Sequence, residues 1–497
     1  LKGYGFVIVE NETLLKRRGF HIVTLGCSKN RVDSDGMDTL LRQRGLLPTT
    51  ADAADVVIVN TCGFLGAARA ESIEAIGELV NGRRDGQRVI AAGCMPALGN
   101  YQNDIPVGVD HILTTREWFK IGDVVGGLFG ELPQPEEAGC DGMLTTFSRA
   151  DAGPSAYVKV ADGCDHNCAF CTIPSIKGRQ LSKRPLHVIQ EIVDLVARGT
   201  KEIVLVAQDT IRYGADFGMK DGLPHLLESI AEQVPNLPWV RMLYIYPSPL
   251  TLKMVDVLAR YDSLLPYLDM PLQHADKDVL RRMNRPSDPV MTMRLIEHAR
   301  KSLPDLAMRT TFIVGYPGET DRQFGRLLQF VEAEEFDHVG VFTYSPEPGT
   351  KAATLDDVVP ASVAEERRNA VMEAQQKISL RKNQLLIGTA QKVLIEAVGE
   401  SEDQRGRVEP ISVGRTVRHA PEVDGMVFVP GAHQIGEFVT ITIGEASPYD
   451  LWAEDLSSND ERPRDRRRVR MERRRKERRQ TANRNGRPVP MATLAGT

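Results

Sequence analysis

From residue 20 to about 128 the chain repeats one unit: an apolar, β-branched run, then a cysteine, then a stretch with helical spacing. The runs are His21-Ile22-Val23-Thr24-Leu25-Gly26 before Cys27, Asp55-Val56-Val57-Ile58-Val59-Asn60-Thr61 before Cys62, and Arg88-Val89-Ile90-Ala91-Ala92-Gly93 before Cys94. Strands alternating with helices predict a parallel sheet. Residues 131–150, with Pro133, Pro135, Glu136, Glu137 and Gly139, interrupt the pattern and read as a linker. Six further candidate strands follow at 156–160, 202–208, 239–246, 267–272, 308–314 and 339–344, with helical patterns between most of them. Six such units predict an incomplete barrel of the TIM kind, with its chemistry at the carboxyl ends of the strands. Residues 361–386 read as one long polar-faced helix. After Gly388, short alternating runs at 392–397, 415–419, 426–429 and 438–443, broken by Gly and Pro, predict a small all-β domain. The expected fold class is therefore α/β. It comprises an N-terminal extension (1–19), a parallel α/β domain (20–130), a linker (131–150), a partial (β/α)6 barrel (151–387), a β-domain (388–456) and a tail (457–497).

Composition supports this without refining it. Apolar residues make up 42% and charged residues 26% of the 497, which excludes collagen-like and wholly disordered chains. No apolar run approaches the ~20 residues of a membrane helix. The first twenty residues lack the order of a signal peptide, so a cytoplasmic protein with no membrane contact is expected. Charge is more informative. The formal net charge is -5, yet residues 461–479 hold eleven Arg and one Lys against four acids, or +8. Everything else therefore sums to -13. A like-charged block of this kind reads as a solvated, disordered arm with at most weak affinity for nucleic acid, such as ribosomal RNA.

Seven cysteines, an odd number in a chain this long, argue against a disulfide framework and for metal ligation or catalysis. One cysteine closing a strand reads as a small buried residue. Cys27, Cys62 and Cys94 occupy the same place in three units, so they can meet in the crevice beyond the strand ends, where open α/β sheets bind ligands. Cys140 falls in the linker and lacks the rigid neighbours that a ligand needs.

Cys164-Asp165-His166-Asn167-Cys168-Ala169-Phe170-Cys171 is the sharpest motif, three thiols within eight residues after the first barrel strand. Such a loop can wrap one corner of a 4Fe-4S cluster, each sulfur on a different iron, leaving the fourth iron open. Structural zinc wants four ligands, commonly in two separated pairs, and His166 is badly placed to be the fourth.

A Cys-x3-Cys-x2-Cys loop after the first strand of a partial barrel resembles the signature of radical S-adenosylmethionine enzymes. The resemblance implies that the open iron chelates S-adenosylmethionine, whose reductive cleavage releases a 5′-deoxyadenosyl radical able to take hydrogen from an unactivated carbon. Leu25-Gly26-Cys27-Ser28-Lys29-Asn30-Arg31-Val32-Asp33-Ser34, Asn60-Thr61-Cys62-Gly63-Phe64 and Ala92-Gly93-Cys94 resemble the ligand segments of the methylthiotransferases, which carry a second 4Fe-4S cluster. The β-domain from about 388 to 454 resembles the TRAM module that closes these proteins. The resemblance implies two 4Fe-4S clusters, one on Cys164, Cys168 and Cys171 and an auxiliary one on Cys27, Cys62 and Cys94, both facing one cavity.

For S-adenosylmethionine it points to Gln208 and Asp209 at the end of the second strand, and to Arg309, Ile313 and Gly315 along and after the fifth. Gly315 and Gly318 also read as simple turn residues, and His274 is left out of the site. No side chain is assigned direct catalysis.

Two branches of the family modify either a tRNA adenosine or an aspartate of small-subunit ribosomal protein twelve. Cys27-Ser28-Lys29-Asn30, Ala207-Gln208-Asp209-Thr210, Leu243-Tyr244-Ile245-Tyr246-Pro247 and Met270-Pro271-Leu272-Gln273-His274 resemble the second, RimO-type branch. The tRNA branch typically shows Gln-Met-Asn after its first cysteine. Charge points the same way: residues 388–454 carry five Lys and Arg against eleven acids, net -6, which suits a basic protein better than phosphates. The implied reaction places a methylthio group on the aspartate β-carbon, with electrons from a flavodoxin or ferredoxin, in a protein expected to be a monomer. The competing readings are a tRNA methylthiotransferase and an iron–sulfur carrier without catalysis.

Overall fold

The computed structural model describes residues 18–130, 142, 147, 149, 153–285, 288–402 and 408–454. Residues 1–17, Cys140 with most of the expected linker, and the arginine-rich tail lie outside them.

The first unit is a five-stranded, all-parallel sheet in the order Leu47–Pro48, Gly19–Thr24, Val56–Thr61, Arg88–Gly93, His111–Thr114. Its central strand, Val56–Thr61, is buried at every position, which explains its unbroken apolar run. This order reverses direction between Gly19–Thr24 and Val56–Thr61, the switch point at which doubly wound sheets open a crevice. Cys62 and Cys94 directly follow their strands and Cys27 follows Thr24 by three residues, so all three cluster at the carboxyl edge.

The second unit is built from two three-stranded parallel sheets. Ser155–Lys159, Glu202–Val206 and Trp239–Met242 form one, and Tyr267–Asp269, Ala307–Val314 and His338–Thr343 the other. Backbone bonds from Leu265 to Val240 (2.9 Å) and from Ile245 to Asp269 (2.8 Å) join them into one open, six-stranded arc. Helix Ala361–Gln384 leaves the last strand and packs along it. Its buried face is Ala364, Arg367, Val371, Gln375, Ile378, Ser379 and Asn383.

The third unit is a closed five-stranded barrel of Ala390–Glu402, Val408–Arg415, Val427–Pro430, Leu451–Ala453 and Phe438–Ala446. Here the structure corrects two sequence expectations. The run at 415–419 is the end of a strand followed by a turn, because Thr416 and Arg415 bond back to His419. The short strand Leu451–Ala453 was not anticipated.

Besides cores of their own, the units share one. Phe20, Val32 and Met37 of the first, Tyr157, Val204 and Tyr267 of the second, and Leu394 and Ala420 of the third belong to a single apolar cluster. The expected linker also contributes: Phe147 packs edge-on against Trp118, and Arg149 pairs with Glu191 at 3.1 Å.

Candidate active site

The three N-terminal cysteines converge because their loops leave no room between them. A Cβ on Gly26 would lie 2.9 Å from the Cys62 Cβ and 3.1 Å from its Sγ, and one on Gly63 would strike the Cys94–Met95 backbone at 2.8 to 2.9 Å. Asn30, one turn into helix Ser28–Gln43, ties the loops together. Its Nδ2 donates to the Leu25 carbonyl (3.0 Å) and the Thr61 carbonyl (2.9 Å), its own carbonyl accepts from Asn60 (2.8 Å), and its Oδ1 lies 3.4 Å from Cys94 Sγ. Sequence reasoning quoted Asn30 only as part of a motif; its place one turn after Cys27 was the available signal.

The second loop is braced from both sides. Ala169 donates to the Met283 carbonyl and accepts from Ala352, both at 2.8 Å, and Cys164 donates to Gly178 at 3.0 Å. Arg285 stacks over Tyr246, bonds the Pro271 carbonyl at 2.7 Å and places Nη1 3.7 Å from Cys168 Sγ. No sequence motif announced Arg285, since all these partners are remote in the chain. His166 turns away from the thiols: its Nε2 meets Asp209 Oδ2 at 2.6 Å and its ring stacks on Tyr246 at 4.5 Å.

Burial, then the charges of Cys94 and Cys27, push the Cys62 thiol up to about 12, and burial lifts Cys94 to about 11 against the pull of Lys177. Burial likewise raises Cys171 to about 12 and Cys164 to about 11. Bare thiolates are therefore disfavoured in both loops. Positive irons reverse that balance, because metal ligation requires the thiolate and releases the proton. Both triplets thus fit a cationic cluster better than a bare nucleophile. Among the described residues no three His, Cys, Asp or Glu converge to hold a single metal ion. Thiolates that each take a different iron of a cube stand further apart than ligands of one ion.

The two loops meet. Thr172, next to Cys171, donates to the carbonyl of Phe64, two residues past Cys62, at 3.4 Å. Arg116 of the first unit caps helix Ile173–Lys177 through the Ile176 and Ser175 carbonyls at 3.0 and 3.1 Å, and Arg69 pairs with buried Glu347 at 2.7 Å. Between the loops lie Asp33, Lys159, Asp162 and Lys177, each 2% exposed or less. Lys177 Nζ is 3.1 Å from both Asp33 and Asp162, and Lys159 is 2.8 Å from Asp162 and in contact with Asp33. Burial works to raise the Asp162 carboxyl, but Lys159 and Lys177 outweigh it and hold it well below the carboxylate range. Lys177 is held well above its ordinary value by Asp162 and Asp33, which overcome its own burial.

Of the residues expected to hold S-adenosylmethionine, three stand at the second loop. Gln208 donates to Asp162 at 2.8 Å, leaving its Oε1 buried without a partner, and Asp209 Oδ1 is likewise orphaned. Two buried acceptors in want of a donor fit the amino group of an amino acid. Ile313 packs beside Ala169 and Phe170. Arg309 and Gly315 are employed elsewhere. Arg309 is third of the eight residues of its strand, and its guanidinium pairs with Asp269 (3.0 Å) and with Asp424 of the closed barrel (3.5 Å). Gly315 has φ +73°, and a Cβ there would collide with Ala364, so close helix packing accounts for it. His274 is buried, its Nδ1 accepting from the Asp276 amide at 2.9 Å. A cavity of about 440 Å³, within the range of ligand pockets, opens beside the second loop and is lined by His166, Asp209, Arg212, Met219, Asp221 and Tyr246.

A three-thiol loop at the head of an open parallel arc defines a class, and the family models agree: residues 158–331 match the Radical SAM superfamily, 19–107 the Uncharacterized protein family UPF0004, and 387–455 the TRAM domain. The superfamily implies a 4Fe-4S cluster and S-adenosylmethionine. Relatives named ribosomal protein uS12 methylthiotransferase RimO are similar along most of the chain. The protein of Roseiflexus sp. (strain RS-1) is 44% identical over 88% of this chain and 96% of its own, and that of Chloroflexus aurantiacus 45% over 88% and 100%. That of Synechococcus elongatus is 39% identical over 88% and 95%. The solved structure of the radical S-adenosylmethionine methyltransferase TsrM from Kitasatospora setae is similar at a TM-score of 0.49 and 14% identity, over 65% of this chain and 72% of that one. The chain belongs to the RimO family of radical S-adenosylmethionine methylthiotransferases.

Proposed function

We propose that this protein places a methylthio group on the β-carbon of an aspartate in ribosomal protein uS12, using two 4Fe-4S clusters and S-adenosylmethionine. The observation that carries the reading is the contact of the two three-cysteine loops, with Thr172 bonded to Phe64 and a buried, charge-neutral network between them. When bound, the clusters and S-adenosylmethionine supply the methyl group, the sulfur carrier and the radical chemistry that side chains lack.

The chain's own residues do the rest. Cys27, Cys62 and Cys94 hold one cluster, and Cys164, Cys168 and Cys171 the other. Gln208 and Asp209 take the amino group of S-adenosylmethionine on their orphaned oxygens. Ile313 lies against the cluster loop, and Arg285 places positive charge by Cys168. The first unit packs on the loops at the carboxyl ends of the arc, through Phe64 with Thr172 and Arg116 with helix Ile173–Lys177. The acidic closed barrel, net -6 over residues 388–454, favours a basic protein partner.

No described helix is long and apolar enough to cross a membrane. We place the reaction in the cytoplasm, with a flavodoxin or ferredoxin as reductant and the enzyme acting as a monomer. The arginine-rich tail is available for ribosomal RNA.

The test is anaerobic reconstitution with S-adenosylmethionine, reductant and uS12, followed by mass spectrometry. A gain of one methylthio group on uS12, with 5′-deoxyadenosine released, is the expected result. Modification of tRNA alone would overturn the substrate, and absence of 5′-deoxyadenosine would leave an iron–sulfur carrier.

A further inference from the structure

Lys177 belongs to the barrel unit but is buried on a helix that packs against the first unit. It ends helix Ile173–Lys177, which begins two residues after Cys171 and packs against the turn Met95–Ala97 that follows Cys94. Its ammonium is fully enclosed, with Asp33 and Asp162 at 3.1 Å each. Asp33 stands one turn beyond Asn30, whose Oδ1 is 3.4 Å from Cys94 Sγ. A buried cation and buried carboxylates therefore sit beside the segments that carry Cys27 and Cys94, inside a region that water does not screen.

We propose that Lys177 and Asp33 set the reduction potential of the auxiliary cluster held by Cys27, Cys62 and Cys94. Reduction adds one electron, here taken from dithionite, to a buried centre without adding a proton. A nearby cation stabilises that charge and raises the potential; a carboxylate lowers it. Lys177 is thus a positioning residue that acts through charge, delivered across the seam by the domain that carries the other cluster. The balance of the two groups decides how readily the auxiliary cluster competes for an electron meant for its neighbour. The inference rests on the two-cluster reading.

The experiment uses the full chain carrying Cys164→Ala, Cys168→Ala and Cys171→Ala, so that a single signal remains, and follows reduction by electron paramagnetic resonance in a potential titration. Iron and sulfide are counted beforehand. Lys177→Met is expected to shift the midpoint to lower potential, Asp33→Asn to higher potential, and the double variant to fall between them. Shifts of opposite sign are what a merely structural role would not produce. Should Lys177→Met fail to hold iron, the rise with Asp33→Asn and its reversal in the double variant carry the same test. Loaded variants whose midpoints do not move, or move in one direction, overturn the proposal. A background chain that binds no iron on the remaining cysteines overturns the two-cluster reading itself.

Discussion

Replacing Asn30 with alanine removes in one step the side-chain bonds to Leu25 and Thr61 and the contact with Cys94 that gather three cysteine loops. The expected outcome is loss of about half the iron and sulfide of the reconstituted protein, with the Cys164, Cys168 and Cys171 cluster retained; an unchanged assay would count against the role. The thiols also give a pH signature. In the metal-free chain Cys62, Cys94, Cys164 and Cys171 hold their protons more tightly than the ordinary value of 9.0. Their contribution to stability is present in full below about pH 9 and is lost as pH rises toward 11 to 12. Denaturation midpoints should fall over that range for the metal-free chain and stay level for the loaded one. The cysteines were legible in sequence because their spacing is local or repeats with the strands. Arg285 and Lys177 were not, since each acts on a sulfur that only the folded chain brings near.

Glu202 and Arg415 join the barrel arc to the closed barrel, with Arg241 completing the pair. Burial would raise the Glu202 carboxyl, but Arg415 and Arg241 outweigh it and hold it at about 2. Its contribution is present above the ordinary 4.5 and lost as pH falls toward 2. Arg415→Met leaves buried Glu202 with Arg241 and Ser155 as its partners and is expected to cost about 1.5–3 kcal/mol, read by urea denaturation, with earlier proteolysis near residues 384–390. The helix Ala361–Gln384 shows why elements were harder to read than motifs. Its existence was evident, but Gln375, Ser379 and Asn383 look like an outer face and are buried. They bond the Phe336, Asp337, Ser447 and Pro448 carbonyls instead. Polarity was compensated by backbone acceptors far along the sequence, which no periodicity displays. Leu451–Ala453 was hidden by its length instead: three residues show no alternation, although they close a hairpin with Phe438–Ala446 just before them and pair with Val427–Pro430.

Taken whole, the chain outside 461–479 carries -13, so with the proposed basic substrate long-range attraction should speed encounter. The association rate with uS12 is expected to drop several-fold between about 0.05 and 0.3 M salt, measured by stopped flow; a flat profile would mean that acidity serves solubility alone. The order of the three units was readable from changes in periodicity, since each kind of layer has its own repeat. Their docking was not, because its ties are long-range: pairs such as Arg69 with Glu347, and an apolar cluster drawn from all three units.

The apolar cluster that runs from Phe20 through Tyr157 to Leu394 carries a lesson for anyone engineering the protein. Modules that look separable on paper have cores of their own but also a common one. A gene trimmed to the central unit would leave Tyr157, Val204 and Tyr267 facing solvent and yield aggregate, so grafting this chemistry onto another scaffold means transplanting all three units together.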